Sequence, residues 1–465
     1  MTPTTLLHAL WNAAGCDEEA LDAIRIDSSA PSLPSCFHVG PVAAATIGAQ
    51  ALAAADLWRL RCGRMQRIEV DMRRALAMFR SERYLGVDGK PPADLWSPIA
   101  GYYQAGDGRW IQLHTNFPHH RDGVLWVLEC EDKREAVAAA IARWRAEELE
   151  ARLADEGMCA SMIRTQEEWR IHPQAAALDG LPLFEIVRIG DAAADAAGTN
   201  LPAARPLSGV RVLDLSRVIA APLAARTLAQ HGADVLAIGA GHLPNITPLV
   251  IDTGRGKRSA HLDLRLPEGR RRLLELVKNA DVFLQAYRPD ALAALGFSPE
   301  ELCAARPGLI YVTLSAYGHA GPWSQRRGFD SLVQSATGIA WREGNAAGLE
   351  GPGKLPCQAL DHATGYLAAF AAMVALQRRA REGGSWLVRV SLAQTGRWLQ
   401  SLGANAGGVS APDLRADEIE PWLETIASPF GLVRAVAPVE RMSETPPRFD
   451  RPPVPLGAHT PAWNE

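Results

Sequence analysis

Val210-Arg-Val-Leu-Asp-Leu215 is a short apolar run of the kind that forms a buried β-strand. A helical pattern at 221–231 follows it, Gly232 ends that pattern, and Ala233-Asp-Val-Leu-Ala-Ile238 predicts a second strand. The alternation continues with strand patterns at 282–285 and 309–314 and helical patterns at 267–279 and 299–305. Strands that alternate with helices of this length predict a parallel sheet covered on both faces. No G-x-G-x-x-G follows the first strand, so the sequence does not support an NAD or FAD site.

An Ala-rich helix with a carboxylate at its start follows this unit. Its small apolar residues run from Ala363 to Ala380 at helical spacing, and Asp361 precedes them. Backbone N–H groups left free at a helix start, together with the helix dipole, favour an ionised carboxylate there and can receive an anionic intermediate. Two interpretations of Asp361 are open at this point: a catalytic carboxylate, or an ordinary helix N-cap.

The same order of helix, stop and strand occurs near the N-terminus. A helical pattern at 42–61 stops at Gly63 before a strand pattern, and the helix after Asp361 stops at Gly383 before another. The residue numbers of these two glycines differ by 320, which predicts a partial internal duplication. At that offset the partner of Asp361 is Pro41, so the repeat predicts one such carboxylate per chain.

Composition limits the classes of function. The 465 residues are 48% hydrophobic and 22% charged, which is typical of a globular protein, and this length predicts two or three domains. A net charge of −4 argues against nucleic acid or a membrane surface as partner. The seven cysteines form no C-x-x-C pair, so we expect neither a metal site nor disulfides, which suits a reducing cytoplasm. The N-terminus lacks a signal-peptide pattern, and no uninterrupted run of 18 apolar residues predicts a membrane span.

Changes in pattern divide the chain into four segments. Residues 1–85 carry N-terminal helices and the degenerate copy of the helix–strand unit, and residues 86–200 form a small mixed α/β domain. Within that domain, Gly106-Asp-Gly108 between two alternating runs predicts a β-hairpin. Residues 206–400 hold the domain of alternating strands and helices, and residues 401–465 form a C-terminal tail.

Loops at the carboxyl ends of the predicted strands are candidate ligand sites. They include Tyr287-Arg-Pro289 and the segment at 315–323. Gly254-Arg-Gly-Lys-Arg-Ser259 places three cations in a flexible loop that suits phosphate groups, or is simply solvated. Three histidines are possible acid–base groups or ordinary surface residues: His231, His319 and His362.

Two longer segments carry a resemblance to a known family: Leu207-Ser-Gly-Val-Arg-Val-Leu-Asp-Leu-Ser-Arg-Val-Ile-Ala-Ala-Pro222 and Ser315-Ala-Tyr-Gly-His-Ala-Gly-Pro322. Shorter segments add to it at 231–235, 256–259, 262–264, 267–269, 287–289, 295–297 and 328–330. In this order they resemble the class III CoA-transferases, the carnitine dehydratase and bile-acid-inducible F family. The resemblance covers about 200 continuous residues.

The resemblance implies a fold and a mechanism. The fold is α/β, with a Rossmann-like parallel-sheet CoA-binding domain plus a smaller mixed α/β domain. Asp361 matches the family's nucleophile, which attacks an acyl-CoA to give an aspartyl mixed anhydride and CoA thiolate. The thiolate then forms an aspartyl-CoA thioester, and the carboxylate of an acceptor acid completes the exchange. Free N–H groups at the start of the helix would stabilise each oxyanion.

The resemblance also implies the ligands and their contacts. Coenzyme A and acyl-CoA are substrates, no cofactor is bound permanently, and the other substrate is a small carboxylic acid. Members of the family form interlocked homodimers, which implies a homodimer here. The expected contacts are Lys257, Arg258 and Arg288 for the CoA phosphates and Val218, Ala220 and Ala221 for the adenine or pantetheine path.

Departures from the family's pattern leave alternatives open. Leu236-Ala-Ile-Gly-Ala-Gly241 lacks the charged residues that help the family hold CoA, and Gly328-Phe-Asp330 lacks the histidine of the racemase branch. One alternative is a CoA-thioester racemase or isomerase in which Asp361 is a base and His362 assists it. The other is a non-catalytic CoA-binding homologue. The sequence does not identify the acyl group or the acceptor acid.

The remaining segments resemble the family in permuted order. Residues 43–85 resemble the helix and strand that follow the nucleophile, 102–174 the small domain, and 451–460 the usual ending. This order predicts that two copies were fused, the first having lost its CoA-binding half and the second its small domain.

Overall fold

The protein is described by a computed structural model that covers residues 1–29, 32–91, 94–194 and 204–463. Its first half contains, in chain order, α1 (Pro3–Ala13), β1 (Ile24–Asp27), α2 (Val39–Cys62), β2 (Ile68–Asp71), α3 (Met72–Met78), β3 (Gly86–Val87), β4 (Gly101–Gln104), β5 (Trp110–Leu113), α4 (Pro118–Leu128), α5 (Arg134–Ile141), α6 (Ala146–Asp155), β6 (Ala160–Met162), α7 (Gln166–Arg170), α8 (Pro173–Leu178) and β7 (Phe184–Gly190). Its second half contains β8 (Arg211–Leu215), α9 (Ala220–Gln230), β9 (Asp234–Gly239), α10 (Thr247–Thr253), β10 (Lys257–His261), α11 (Pro267–Val277), β11 (Val282–Gln285), α12 (Pro299–Ala305), β12 (Ile310–Ser315), α13 (Asp330–Ala336), α14 (Ile339–Ala346), α15 (Ala359–Glu382), β13 (Ser385–Ser391), α16 (Leu392–Ser401), α17 (Ala416–Ile419), β14 (Leu423–Ser428), β15 (Gly431–Val436) and β16 (Arg441–Met442).

A seven-stranded sheet with the order β10-β9-β8-β11-β12-β13-β7 forms the centre of the fold. Its first six strands are parallel, and β7 pairs antiparallel with β13 at one edge. The prediction of a mixed α/β fold with a large parallel sheet is therefore confirmed. The antiparallel edge was not predicted, because β7 lies in the segment that the sequence pattern groups with the small domain. The boundary between these two predicted domains, at residues 200–206, lies partly outside the described residues.

The helix that carries Asp361, α15, is the central helix of the core. It is buried along almost its whole length, packs between α2 and α9, and lies on β12, β13 and β7. Its small residues permit this close packing. At Gly365, a Cβ atom would lie 2.4 Å from the carbonyl oxygen of Ala220 at the start of α9. Gly365 therefore allows the N-terminal turns of α9 and α15 to meet.

The apolar character of α15 also satisfies a length and composition test for a membrane-crossing helix. Among the described residues it alone does so, and the window that passes is entirely buried inside the protein. Core helices of globular proteins pass the same test, so a single buried helix of this kind is weak evidence for a membrane span.

The two helices of the predicted repeat correspond in length and position. Both α2 and α15 have 24 residues, and they begin at Val39 and Ala359, which are 320 positions apart. The short helices that follow, α3 and α16, begin at Met72 and Leu392 with the same offset. Their surroundings differ, because β2 pairs with β1 and β16 in a separate three-stranded sheet, whereas β13 lies in the central one.

The small domain packs against α13 and has a core of its own. It contains the antiparallel sheet β4-β5-β6, and the predicted hairpin is present as the β4–β5 pair. Helices α4, α5 and α6 cover this sheet with apolar residues that include Val124, Ile141 and Leu149. The loop before β4 and the residue after β5 reach towards the start of α15.

The basic segment at 254–259 was predicted as a flexible loop, and this prediction is wrong. Residues from Lys257 onward form β10, an edge strand of the central sheet. The prediction failed because charged residues in this strand replace the apolar alternation that marks a strand. The C-terminal tail lies along the same strand, where the N–H of His459 donates to the carbonyl oxygen of Ser259 (2.8 Å) and the N–H of Gly457 donates to Ser259 Oγ (3.1 Å).

We expect Gly365→Ala to destabilise the protein by roughly 1–3 kcal/mol, because the new methyl group meets a backbone atom that cannot rotate away. Gly396→Ala is the matched control. Gly396 is also helical, but its nearest neighbour would be Ile339 Cδ1 at 3.4 Å, an ordinary contact. Chemical unfolding should show a loss of stability only for Gly365→Ala, and equal stability of the two variants would contradict this account of the helix contact.

Candidate active site

Asp361 lies in the first turn of α15, where the N-terminal ends of α9, α13 and α15 converge. The residue is 8% exposed, and it lines two neighbouring cavities. Among the described residues, none donates a hydrogen bond to its carboxyl oxygens. A helix N-cap carboxylate would accept such bonds, so the N-cap interpretation of Asp361 does not fit its side chain.

The first cavity, of about 380 Å³, is rich in cationic groups, and we call it the basic cavity. Its cationic and imidazole side chains are Arg217, Arg288, Arg326, Arg327, His119 and His120. The guanidinium of Arg288 is exposed and pairs with no other described residue. Guanidinium groups of this kind favour phosphate ligands.

The second cavity, of about 340 Å³, has three rings in its wall, and we call it the aromatic cavity. The rings belong to Trp96, His114 and Phe329. Its charged lining residues are Glu82, Arg83, Asp94, Asp330, Lys354 and Asp361. Asp361 and Phe329 line both cavities, so the carboxyl of Asp361 stands at their junction.

The carboxylate of Asp330 holds the start of α15 in place. Its Oδ2 accepts a hydrogen bond from the N–H of Asp361 (2.9 Å), and the carboxylate also interacts with the N–H of Leu360 and with the side-chain amide of Gln334. The prediction that these N–H groups are free to receive an oxyanion is therefore wrong for Leu360 and Asp361. Burial raises the pKa of Asp330 to about 6.

The environment of Asp361 disfavours its ionised form. Burial raises the pKa of this carboxyl well above its ordinary value, and the nearby carboxylates of Asp330 and Glu82 raise it further. An ionised Asp361 is thus poorly stabilised by its surroundings. Neutralising such a carboxylate, either by protonation or by formation of an acyl bond, lowers the free energy of the site.

The histidines proposed from sequence do not face Asp361. The Nε2 atom of His362 lies 3.2 Å from Glu82 Oε2, and its ring stacks on Phe79 with centroids 5.3 Å apart. It lines neither cavity, nor do His231 and His319. The acid–base assistance that a racemase would need from His362 is therefore not in position.

The residues expected along the adenine or pantetheine path lie together. Val218, Ala220 and Ala221 all line the basic cavity, as does Arg288. Val218 has a backbone φ of 74°, a conformation that is strained for a β-branched residue. Such strain is concentrated at functional sites. These four predicted residues are thus brought to the same cavity as Asp361.

The other two cations expected at the CoA phosphates lie elsewhere. Lys257 is buried, and its ammonium donates to Asp214 Oδ2 and to the carbonyl oxygen of Pro222, both at 2.7 Å. Arg258 pairs with Asp234 Oδ2 at 2.9 Å. Both side chains line a third, smaller cavity of about 90 Å³. They already neutralise carboxylates of β8 and β9, and neither lines a cavity that contains Asp361.

Several functional candidates were missed from the sequence. Asp330 was noticed only within the segment at 328–330, and the rings of Trp96 and His114 carried no local signal, because they approach Asp361 only through the packing of the small domain. For Asp330, its place at a helix start was a usable signal. Within the described part of the chain, no group of three His, Cys, Asp or Glu side chains is arranged to hold a metal ion.

Comparison with known proteins supports the sequence resemblance. Residues 207–417 match the model of CoA-transferase family III. An acyl-CoA transferase from Gibberella moniliformis is 32% identical in an alignment of 316 positions that covers 64% of this chain and 56% of that protein. A probable fatty acyl-CoA transferase from Mycobacterium tuberculosis is 35% identical over 211 residues, which are 43% of this chain and 53% of that protein.

A crystal structure of a hypothetical protein from M. tuberculosis is 34% identical, covers 43% of this chain and 57% of its own, and has a TM-score of 0.40. The chain spans about half the length of the curated relatives that it matches. The resemblance to class III CoA-transferases is confirmed for the matching segment.

Replacing Asp361 with Asn should stabilise the protein at neutral and alkaline pH. A carboxyl whose pKa is raised by folding contributes stability below its unfolded pKa of about 4, and this contribution is lost as the pH rises through the folded pKa. The melting temperature of Asp361→Asn should therefore exceed that of the wild type by about 2 °C or more at pH 8, with the gap closing near pH 4.

Asp263→Asn provides the control for this measurement. A hydrogen bond from Arg265 holds the pKa of Asp263 at about 2, so removal of its charge should not raise the melting temperature at pH 8. A wild type that is as stable as Asp361→Asn at pH 8 would show that Asp361 is not under electrostatic strain.

Proposed function

We propose that this chain transfers CoA from an acyl-CoA to a carboxylic acid, since residues 207–417 match the model of CoA-transferase family III. One observation carries the proposal: the carboxyl of Asp361, which accepts no hydrogen bond from the described residues, stands where a basic cavity and an aromatic cavity meet. The basic cavity suits the phosphates and pantetheine of CoA, and the aromatic cavity leaves room for the acyl group. The thioester carbonyl would lie between them, beside Asp361.

The proposed reaction has four acyl-transfer steps, and Asp361 takes part in each of them. The carboxylate attacks the thioester carbonyl, the C–S bond breaks, and an aspartyl mixed anhydride and CoA thiolate result. The thiolate attacks the Asp361 carbonyl, releasing the first carboxylic acid as its anion and leaving an aspartyl-CoA thioester. The acceptor carboxylate then attacks that thioester and expels the thiolate, which finally attacks the acyl carbonyl and restores Asp361.

The surroundings of Asp361 favour its covalent states. An anhydride or thioester at this position carries no charge, so acylation removes the repulsion from Asp330 and Glu82 that raises the pKa of the free carboxyl. The same repulsion raises the energy of the ionised nucleophile before it attacks. Arg288, exposed at the basic cavity, is the cation that we assign to a CoA phosphate. Val218, Ala220 and Ala221 would contact the pantetheine or adenine.

We also propose that α2–β2–α3 and α15–β13–α16 are two copies of one unit in a permuted chain. The common offset of 320 at the starts of both helix pairs supports this proposal. Pro41, at the position that corresponds to Asp361, is buried and offers no nucleophile, so the chain would have one active site. The homodimer and the cytoplasmic location remain predictions.

Trapping an intermediate on Asp361 tests the proposed function directly. The protein incubated with acyl-CoA and hydroxylamine should acquire a hydroxamate at Asp361, and borohydride should reduce the aspartyl-CoA thioester; peptide mass spectrometry detects both. Asp361→Asn should lose transfer by at least about 10³-fold, since the nucleophile is absent. Unchanged turnover in this variant, or wild-type modification at another carboxyl, would contradict the mechanism.

The neighbouring carboxylate should set the pH dependence of transfer. Asp330→Asn removes a negative charge that raises the pKa of Asp361 but keeps an oxygen to accept the N–H of Asp361. The pKa of Asp361 should fall, so the acidic limb of the kcat/KM profile should move to lower pH. Glu268→Gln, at an exposed site on α11, is the control and should leave the profile unchanged. A shift to higher pH would contradict the electrostatic coupling.

A further inference from the structure

Three rings form one wall of the aromatic cavity. The ring of His114 stacks on Phe329 with centroids 3.8 Å apart and planes at 9°, and Trp96 meets the edge of His114 at 5.8 Å. Trp96 is 37% exposed, so much of its indole lacks protein cover. An uncovered indole at a cavity offers a large apolar surface to a ligand. The wall is therefore built for contact with a flat apolar group.

His114 contributes to this wall as a neutral ring. It is 6% exposed, and its buried Nδ1 has no hydrogen-bond partner in the described part of the chain. Burial lowers its pKa to about 4, so the imidazole is uncharged at neutral pH. An uncharged imidazole that is stacked on Phe329 extends the apolar face and presents no counter-ion to an anionic tail.

The charges of the aromatic cavity also disfavour a second carboxylate. Glu82 is paired with His362 and lies near Arg83, while Asp330 holds the start of α15. A dicarboxylic acyl group would bring its distal carboxylate close to Asp330 and Asp361, two like charges.

Aliphatic side chains complete the lining of the cavity. They are Leu95, Val218, Ile219, Ile246 and Leu249. Two cations of the lining are exposed, Arg83 and Lys354. Arg83 lies 3.7 Å from Glu82, whereas Lys354 can attract the one carboxylate of an incoming acceptor acid. The cavity thus combines apolar walls, an aromatic face and attraction for one negative charge.

We infer that the aromatic cavity is the acyl site and that it selects planar, ring-bearing acyl groups, such as aryl or arylalkenyl carboxylates, over dicarboxylic ones. This inference rests on the proposed function, since it assigns the acyl part of the substrate to one side of Asp361. The ring of the acyl group packs against Trp96 and the His114–Phe329 stack, and the carboxyl carbon points towards Asp361.

Substrate competition tests the inference. The wild type should prefer cinnamoyl-CoA to succinyl-CoA by at least tenfold in kcat/KM. Trp96→Ala should lower kcat/KM for cinnamoyl-CoA by about tenfold or more, because it removes part of the aromatic wall of the cavity. The same variant should change kcat/KM for succinyl-CoA by less than about twofold. Trp96→Phe keeps an aromatic face and should retain most of the activity. The matched control is Trp126→Ala, which removes a 62% exposed indole of α4 outside both cavities.

Equilibrium binding separates this inference from the proposed function. Isothermal titration calorimetry with cinnamate and with succinate requires no turnover. Cinnamate should bind both the wild type and Asp361→Asn with a negative heat-capacity change. Trp96→Ala should abolish this heat-capacity change. If the wild type turned over no acyl-CoA but still bound cinnamate in this way, CoA transfer would be rejected and the assignment of the aromatic cavity to a ring-bearing group would stand. Preference for succinate, or equal effects of Trp96→Ala and Trp126→Ala on cinnamate binding, would overturn the inference.

Discussion

The hydrogen bond from the N–H of Asp361 to Asp330 is the contact on which the geometry of the site depends. It joins the first turns of α13 and α15, which are 31 positions apart in sequence, and both carboxyl groups are buried beside it. The carboxylate of Asp330 occupies the N–H groups of Leu360 and Asp361, which a helix start normally offers to ligands. It also places a negative charge next to the reactive carboxyl, so one contact fixes both the position and the acidity of Asp361.

Local patterns in the sequence predicted the central domain well because its elements alternate regularly. The runs at 282–285 and 299–305 coincide with β11 and α12, and the helix at 363–380 lies within α15. What the patterns missed depends on distant partners. Lys257 lies in a segment whose composition predicts a solvated loop, yet its ammonium pairs with Asp214 of β8, two strands away in the sheet. No local rule reveals such a pair.

From the sequence, the residues of the basic cavity could be predicted, whereas those of the aromatic cavity could not. Four of the six expected contacts line the basic cavity. They come from the loops after β8 and β11 and from the first turn of α9, where ligand sites in α/β folds are expected. The opposite side is formed by Trp96 and His114 of the small domain, which are more than 240 positions away from Asp361 in sequence. Only the packing of the two domains brings them together, and sequence periodicity contains no information about that packing.

The C-terminal tail that runs along β10 has a consequence for how the protein meets other copies of itself. An edge strand with unpaired backbone groups is a template for strand addition and aggregation. Here the tail's own N–H groups bond to Ser259, so this edge of the sheet is covered by the same chain. Another copy of the protein could therefore add a strand to β10 at Ser259 only by displacing the tail, which comes from a position far along the chain from the strand it shields.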